Sequence, residues 1–437
     1  MRSAPKNIDE NKSFSPVRTA GKAPATFGST NLTSAAALAT RSAFTLAALS
    51  ALLLLTSAPA RAQSETVLYN FCSQSACGDG SNPQAGLVLD ANGNLYGTTV
   101  NGGANAKGTA FKVSPTGTET VLYSFCALTD CDDGYHPEAG LVRDATGNLY
   151  GTAFDGGAHD GGTVFKLKSR GVEKVIYTFC STPGCSDGYY PHADLVRDGS
   201  GNLYGTTQYR GAFGGGTVFK VTPGGVETVL YSFCAQSACA DGSNPRAPLL
   251  MDTQGNLYGT TYHGGANGAG VVFKVTPAGT GTVLYSFCAQ SGCTDGSSPR
   301  AGLALDTNGN LYGTTDIGGA NGKGTVFKLS PGGTHTVLHS FCAQSGCADG
   351  SRPQAGLILD ANGNLYGTTY SGGAKGRGTV FKISANGTET VLHSFAANGS
   401  DGYNPVAVLV LDANGNLYGT TLSGGAKGGG TVFKVTP

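Results

Sequence analysis

The chain carries no net charge, with 28 basic residues balancing 28 acidic ones and only 13% of positions charged. That balance removes the electrostatic argument for nucleic acid or an anionic membrane surface as a partner. A sustained 3.6-residue apolar stripe is missing outside the N-terminal region, which argues against a helical protein. Glycine is abundant, 70 of 437 residues, yet it follows no three-residue period, so collagen is excluded too. Familiar chemical signatures are also lacking. There is no Gly-Lys-Ser/Thr phosphate loop, no Gly-x-Ser-x-Gly elbow and no His-Glu-x-x-His.

The one long apolar run, 42–57, holds Leu52-Leu53-Leu54-Leu55, follows Arg41 and precedes Ala60-Arg61-Ala62. It is short for a membrane span, and its small-x-small ending marks cleavage before Gln63, as in a signal peptide. An uncleaved anchor is the alternative. Residues 1–62 are therefore set aside as signal peptide and leader. The expected mature chain, 63–437, has no membrane span and is periplasmic or secreted.

What remains is repetition. Gly-Asn-Leu-Tyr-Gly-Thr occurs seven times, starting at Gly93, Gly147, Gly201, Gly255, Gly309, Gly363 and Gly415, at a spacing of 54 residues five times and 52 once. Such a period means a propeller, solenoid or array. Each unit holds four short β-branched and aromatic segments bounded by Gly, Pro, Asn or Asp, which are strand signals. Asp306-Thr307-Asn308-Gly309-Asn310 and Ser330-Pro331-Gly332-Gly333 are tight hairpin turns, so each unit is an antiparallel four-stranded meander. The mature chain opens on an outer-strand segment (66–71) and stops one strand short of a full last unit (431–435). Pairing the two closes a seven-bladed, all-β propeller, and no polar solenoid caps are visible.

All 12 cysteines lie in six Cys-x4-Cys pairs: Cys72 with Cys77, Cys126 with Cys131, Cys180 with Cys185, Cys234 with Cys239, Cys288 with Cys293, and Cys342 with Cys347. The seventh unit, reading Phe395-Ala396-Ala397-Asn398-Gly399-Ser400-Asp401, loses both cysteines together. Joint loss predicts a disulfide within each loop, worth roughly 2 kcal/mol apiece on the chain-entropy model. Two sulfurs per loop cannot fill a zinc shell, so no metal or other cofactor is expected.

The Gly-Asn-Leu-Tyr-Gly-Thr-Thr, Gly-Gly-Ala and Gly-Thr-Val-Phe-Lys segments resemble the GloVer (Gloeobacter–Verrucomicrobia) tandem repeat of exported bacterial proteins. The likeness covers residues 65–437. It implies bacterial export and a propeller-like fold, and it implies no reaction. Some members end in a sorting anchor; no apolar tail follows the last strand here, which argues against anchoring.

With the Leu-Val-Leu-Asp strand innermost, the cysteine loops and the Gly-Gly-Ala loops open on one face, where sequence variety concentrates. Seven tyrosines fall there: Tyr135, Tyr189, Tyr190, Tyr209, Tyr262, Tyr370 and Tyr403, with Phe154 and Phe213. Exposed rings would suit a sugar face or a peptide; rings tucked between loops would only pack. The acids that depart from repeat positions are Asp130, Asp132, Glu138, Asp155, Asp160, Asp194 and Asp316. His136, His159 and His192 share their interval, and Arg210 lies just beyond. This polar cluster on blades two and three can bind a polar ligand, supply an acid and a base, or reflect drift. Asp90-Ala91-Asn92-Gly93-Asn94 looks like the start of a calcium loop but lacks its later ligands, so it is read as a turn. His339 and His393 replace the Tyr of an outer strand. Three functions stand: an exported, monomeric, non-catalytic scaffold that binds glycan, peptide or a surface protein; a lactonase- or lyase-like propeller enzyme; or a structural, adhesive envelope protein.

Overall fold

The structure, a computed structural model, describes residues 64–169 and 171–437; the signal-peptide assignment for 1–62 lies outside the described residues. The first blade runs from the inside outward through Val88–Leu89, Leu95–Thr99, Thr109–Val113 and Glu119–Ser124. We name these positions a, b, c and d. Six blades repeat this antiparallel order within one stretch of chain. The seventh takes a, b and c from Val410–Leu411, Leu417–Thr421 and Thr431–Thr436, and its d strand from the N-terminal Ser64–Asn70.

That closing pair copies the pairing inside every other blade. Val67 stands opposite Phe433 and Thr66 opposite Lys434, as Val121 stands opposite Phe111 and Thr120 opposite Lys112. The same bulge interrupts both ladders. A register this specific is set by which faces are buried, because a one-residue slip would turn every side chain over. The expected ring of seven four-stranded blades therefore holds.

Blades pack through one Phe pair per junction. Phe71 and Phe111 meet edge-to-face at 4.9 Å between ring centroids, and Phe395 and Phe433 at 5.0 Å across the seam. These rings are fully buried, each beside Leu and Val from two consecutive blades. The glycine of Leu-Tyr-Gly makes room for them: a Cβ on Gly97 would lie 2.7 Å from Phe111 Cζ. Leu-Tyr-Gly tyrosines lie between blades and donate to the a–b turn, as Tyr96 Oη does to Asp90 at 3.1 Å. Asp90 also accepts from the Asn92 and Asn94 backbones, so the calcium-like sequence is a turn closed on itself. Burial pushes the Asp90 carboxyl up, but the donors from Asn94, Asn92 and Tyr96 outweigh it and hold it below its ordinary value.

All six disulfides join the two cysteines of one loop, as expected. Cys72 is bonded to Cys77, Cys126 to Cys131 and Cys180 to Cys185. Cys234 is likewise bonded to Cys239, Cys288 to Cys293 and Cys342 to Cys347. In each loop the second cysteine (Cys77, Cys131, Cys185, Cys239, Cys293 and Cys347) ends a single 3-10 turn, and every one of the twelve has a positive φ. A buried Asp latches each cysteine loop to its own d strand. Asp79 accepts from Tyr69 Oη at 2.7 Å and from the Ser73 and Gln74 backbones. Among the described residues, helical segments are single 3-10 turns, and no helix is long and apolar enough to cross a membrane.

Candidate functional site

The alternating strand directions put the d–a and b–c loops on one face, and seven copies of Pro-x-Ala-x-Leu line the bore there. Backbone contacts between blades fix them. The residue before each Pro donates its N–H to the preceding blade, as His136 does to Lys107 O at 3.0 Å and Tyr190 to Gly161 O at 2.9 Å. From the preceding b strand, Thr98 donates to Ala139 O at 2.8 Å and Thr314 to Ala355 O at 3.0 Å. The side chain after each Pro is thereby held at the rim of the axis.

Here the repeat stops repeating. The seven positions after Pro read Gln84, Glu138, His192, Arg246, Arg300, Gln354 and Val406. Below them, before each Leu, stand four glycines with Asp194, Pro248 and Val408. Both rings, Gly140 excepted, line one axial cavity of about 240 Å³. The scaffold is seven-fold and the wall of its pocket is not.

One side of the pocket is acidic. Glu138 Oε2 lies 3.1 Å from His192 Nε2, both half-buried. Asp194 accepts the Gly140 N–H, and burial raises its carboxyl above its ordinary value despite that bond. Behind this side Phe154 stacks on Tyr190 at 4.4 Å and meets His192 edge-on at 5.9 Å. His136 Nδ1 pairs with Asp155 Oδ2 at 2.9 Å next door.

The other side is cationic. Arg246 Nε donates to Asn244 Oδ1 at 2.7 Å, and Gln208, with its amide oxygen turned toward the guanidinium, accepts from it as well. The Tyr262 ring lies 5.1 Å from the Arg246 guanidinium and 5.7 Å from that of Arg300. Asp316, 2% exposed, accepts from Arg352 Nε at 3.2 Å and lies 3.9 Å from Arg300 Nη1. Arg300 and Arg352 thus share one carboxylate. Burial works against the Arg300 charge and Asp316 supports it, and with Arg246 repelling as well its pKa is lowered.

The candidate ligand-binding residues that the sequence singles out separate on this map. Glu138, His192 and Asp194 line the pocket; Phe154, Tyr190, His136, Asp155 and Tyr262 stand behind its walls. Tyr135 is half-buried beneath Lys107, and Tyr189 lies against Tyr190 at 4.0 Å. Tyr370 and Tyr403 are covered by Arg352 and Arg377. Of the seven tyrosines only Tyr209, at 41%, is exposed, beside exposed Arg210 and Phe213, with its hydroxyl 3.1 Å from the Gln208 amide. Asp130, Asp132, His159 and Asp160 are exposed and do not line the pocket. The disulfide cysteines do not line it either; each pair closes its own loop. Arg246, Arg300, Gln84 and Gln354 escape a search for irregular acids and tyrosines, although lining up the seven Pro-x-Ala copies shows them at once.

Backbone strain marks the same wall. The residue before each Pro has φ between 51° and 63°, a conformation suited to Asn, and Asn82, Asn244 and Asn404 occupy it in three blades. His136, Tyr190, Ser298 and Arg352 hold it in the others. Bulky side chains in such a conformation cluster at functional sites.

Among solved structures, a candidate gluconolactonase is 12% identical over 86% of this chain and 92% of its own, with a TM-score of 0.41. A candidate 6-phosphogluconolactonase from Bacteroides uniformis is 18% identical over 75% of this chain and 88% of its own, with a TM-score of 0.45. No curated protein matches the chain. The Gloeobacter/Verrucomicrobia repeat pattern matches residues 55–197, 183–358 and 344–437, and the chain belongs to that family.

Proposed function

We propose that this propeller is an exported, non-catalytic binding scaffold that takes a carboxylate-bearing end group of a glycan or peptide into its axial pocket. The observation that carries this reading is the pair Arg246 and Arg300, which line the cavity on a side where, with Arg352 behind them, three guanidiniums gather near a single carboxylate, Asp316. A ligand carboxylate supplies the missing partner, and Arg presents forked donors matched to it. Glu138, His192 and Asp194 opposite offer acceptors for hydroxyl or amine groups. Tyr209 and Phe213, exposed on the same face, extend the surface available to the rest of the ligand. Six disulfides agree with an oxidising compartment.

The test is calorimetric binding to acidic oligosaccharides and to peptides with free or amidated C-termini. Arg246→Gln with Arg300→Gln should weaken binding at least tenfold, since a hydrogen bond to a charged group is worth about 1.5–3 kcal/mol. Binding that survives loss of both arginines rejects the reading. A second reading, an enzyme on the same face, is favoured by the Glu138–His192 pair at 3.1 Å beside Asp194. Turnover of a bound ligand that ceases in His192→Ala, with binding kept, would select it.

A further inference from the structure

The seam of the ring holds a second group of chemically active side chains, independent of the axial pocket. At five junctions a d-strand tyrosine donates to the latch aspartate, at 2.7 to 2.9 Å. Histidine takes its place at the last two, where His339 Nε2 lies 3.2 Å from Asp349 Oδ2 and His393 Nε2 lies 3.2 Å from Asp401 Oδ2. A carboxyl from the neighbouring d strand faces each: Glu389 near Asp349 and Glu65 near Asp401. Both junctions therefore contain His, Asp and Glu, and only one gathers them.

The difference lies in the loop. Asp349 is satisfied, accepting the Ala343 N–H on Oδ2 at 2.9 Å and the Gln344 N–H on Oδ1 at 3.2 Å. The loop before Asp401 has lost its two cysteines and two residues, and with them the second donor. Ala396 N–H still reaches Asp401 Oδ2, at 2.9 Å. Oδ1 has no hydrogen-bond partner among the described residues, although the side chain is only 9% exposed. Glu65 Oε1 is likewise buried and unpartnered. A buried carboxylate oxygen without a donor is costly unless a cation takes it. One ligand atom each from Glu65, His393 and Asp401 lies within 4.8 Å of the others, the one such trio among the described residues.

We propose that Glu65, His393 and Asp401 bind a divalent ion of the Zn²⁺ class, clipping the N-terminal strand to the sixth blade in the one unit without a disulfide. One imidazole and two carboxylates suit Zn²⁺ better than Ca²⁺, which prefers an all-oxygen shell. The purified chain, stripped with chelator, is titrated with Zn²⁺ by calorimetry and with Co²⁺ by visible absorption. One equivalent should bind, and a hundredfold excess of Zn²⁺ over Kd should raise Tm by roughly 3 °C. His393→Tyr installs the phenol used at five other junctions, so it keeps the fold and should abolish binding. His339→Tyr should leave binding unchanged. No Zn²⁺ binding by the parent chain, binding that survives His393→Tyr, or binding lost in His339→Tyr overturns the assignment.

Discussion

Replacing Glu119, Glu173, Glu227 and Glu389 together by Gln should make the protein more stable at pH 8 and leave it nearly unchanged at about pH 4. Each of these carboxyls sits at a blade junction. Burial, and secondarily the latch aspartate of the preceding blade, pushes its pKa from 4.5 to about 7. In each of them Oε1 is buried and unpartnered among the described residues, an environment that favours the neutral acid. The folded state therefore holds protons that the unfolded chain has released between about pH 4.5 and 7, so stability falls as pH rises through that window and levels off above it. A shift of this size corresponds to about 3.4 kcal/mol per group. These side chains are only half-buried, and solvent screening reduces that to about 1 kcal/mol each, or about 4 kcal/mol for the four. For a domain of this size the difference in Tm is about 5 °C. His335 and His339, whose pKa values burial lowers, oppose the trend below about pH 6.5, but parent and variant share them. Differential scanning calorimetry of both proteins from pH 4 to 8 isolates the glutamates. A difference in Tm that stays flat with pH, or grows toward acid, refutes the reasoning.

Further outcomes follow from the same geometry. Replacing Cys288 and Cys293 by Ser should cost about 2 kcal/mol, and reductant should lower the Tm of the parent by several times the loss seen in that variant; calorimetry with and without reductant checks both. Gly97→Ala places a methyl 2.7 Å from Phe111 Cζ and should cost about 1–3 kcal/mol, read as a shifted denaturation midpoint. Tyr190→Asn relieves a left-handed backbone at φ 63° and should raise stability by about 1 kcal/mol while removing the ring that stacks on Phe154; denaturation and ligand titration on one sample show both effects.

The fold was legible because it repeats. Strand order, both tight turns, every disulfide from Cys72–Cys77 to Cys342–Cys347 and the closing strand all follow from one unit read seven times, and nothing at long range contradicts the local pattern. The pocket was legible only in part. Glu138, His192 and Asp194 stand out as charges out of step with the repeat. Arg246 and Arg300 do not, because their meaning comes from facing one bore, which the ring creates. Asp130, Asp132 and His159 share an interval of sequence with the pocket acids, yet they are exposed and do not line the pocket. The seam cluster was beyond reach: Glu65 and Asp401 lie near opposite ends of the chain, and His393 alone reads as a substituted tyrosine. Proximity there is a product of closure.

Closure is the claim on which pocket and seam both depend, and native-state hydrogen exchange of the segment 64–70 tests it directly. Amides that bond to Thr431–Thr436 should exchange as slowly as those of the interior d strand Glu119–Ser124, because the two ladders have the same register. Exchange of 64–70 at the rate of an unstructured terminus, with the other d strands protected, would show an open ring.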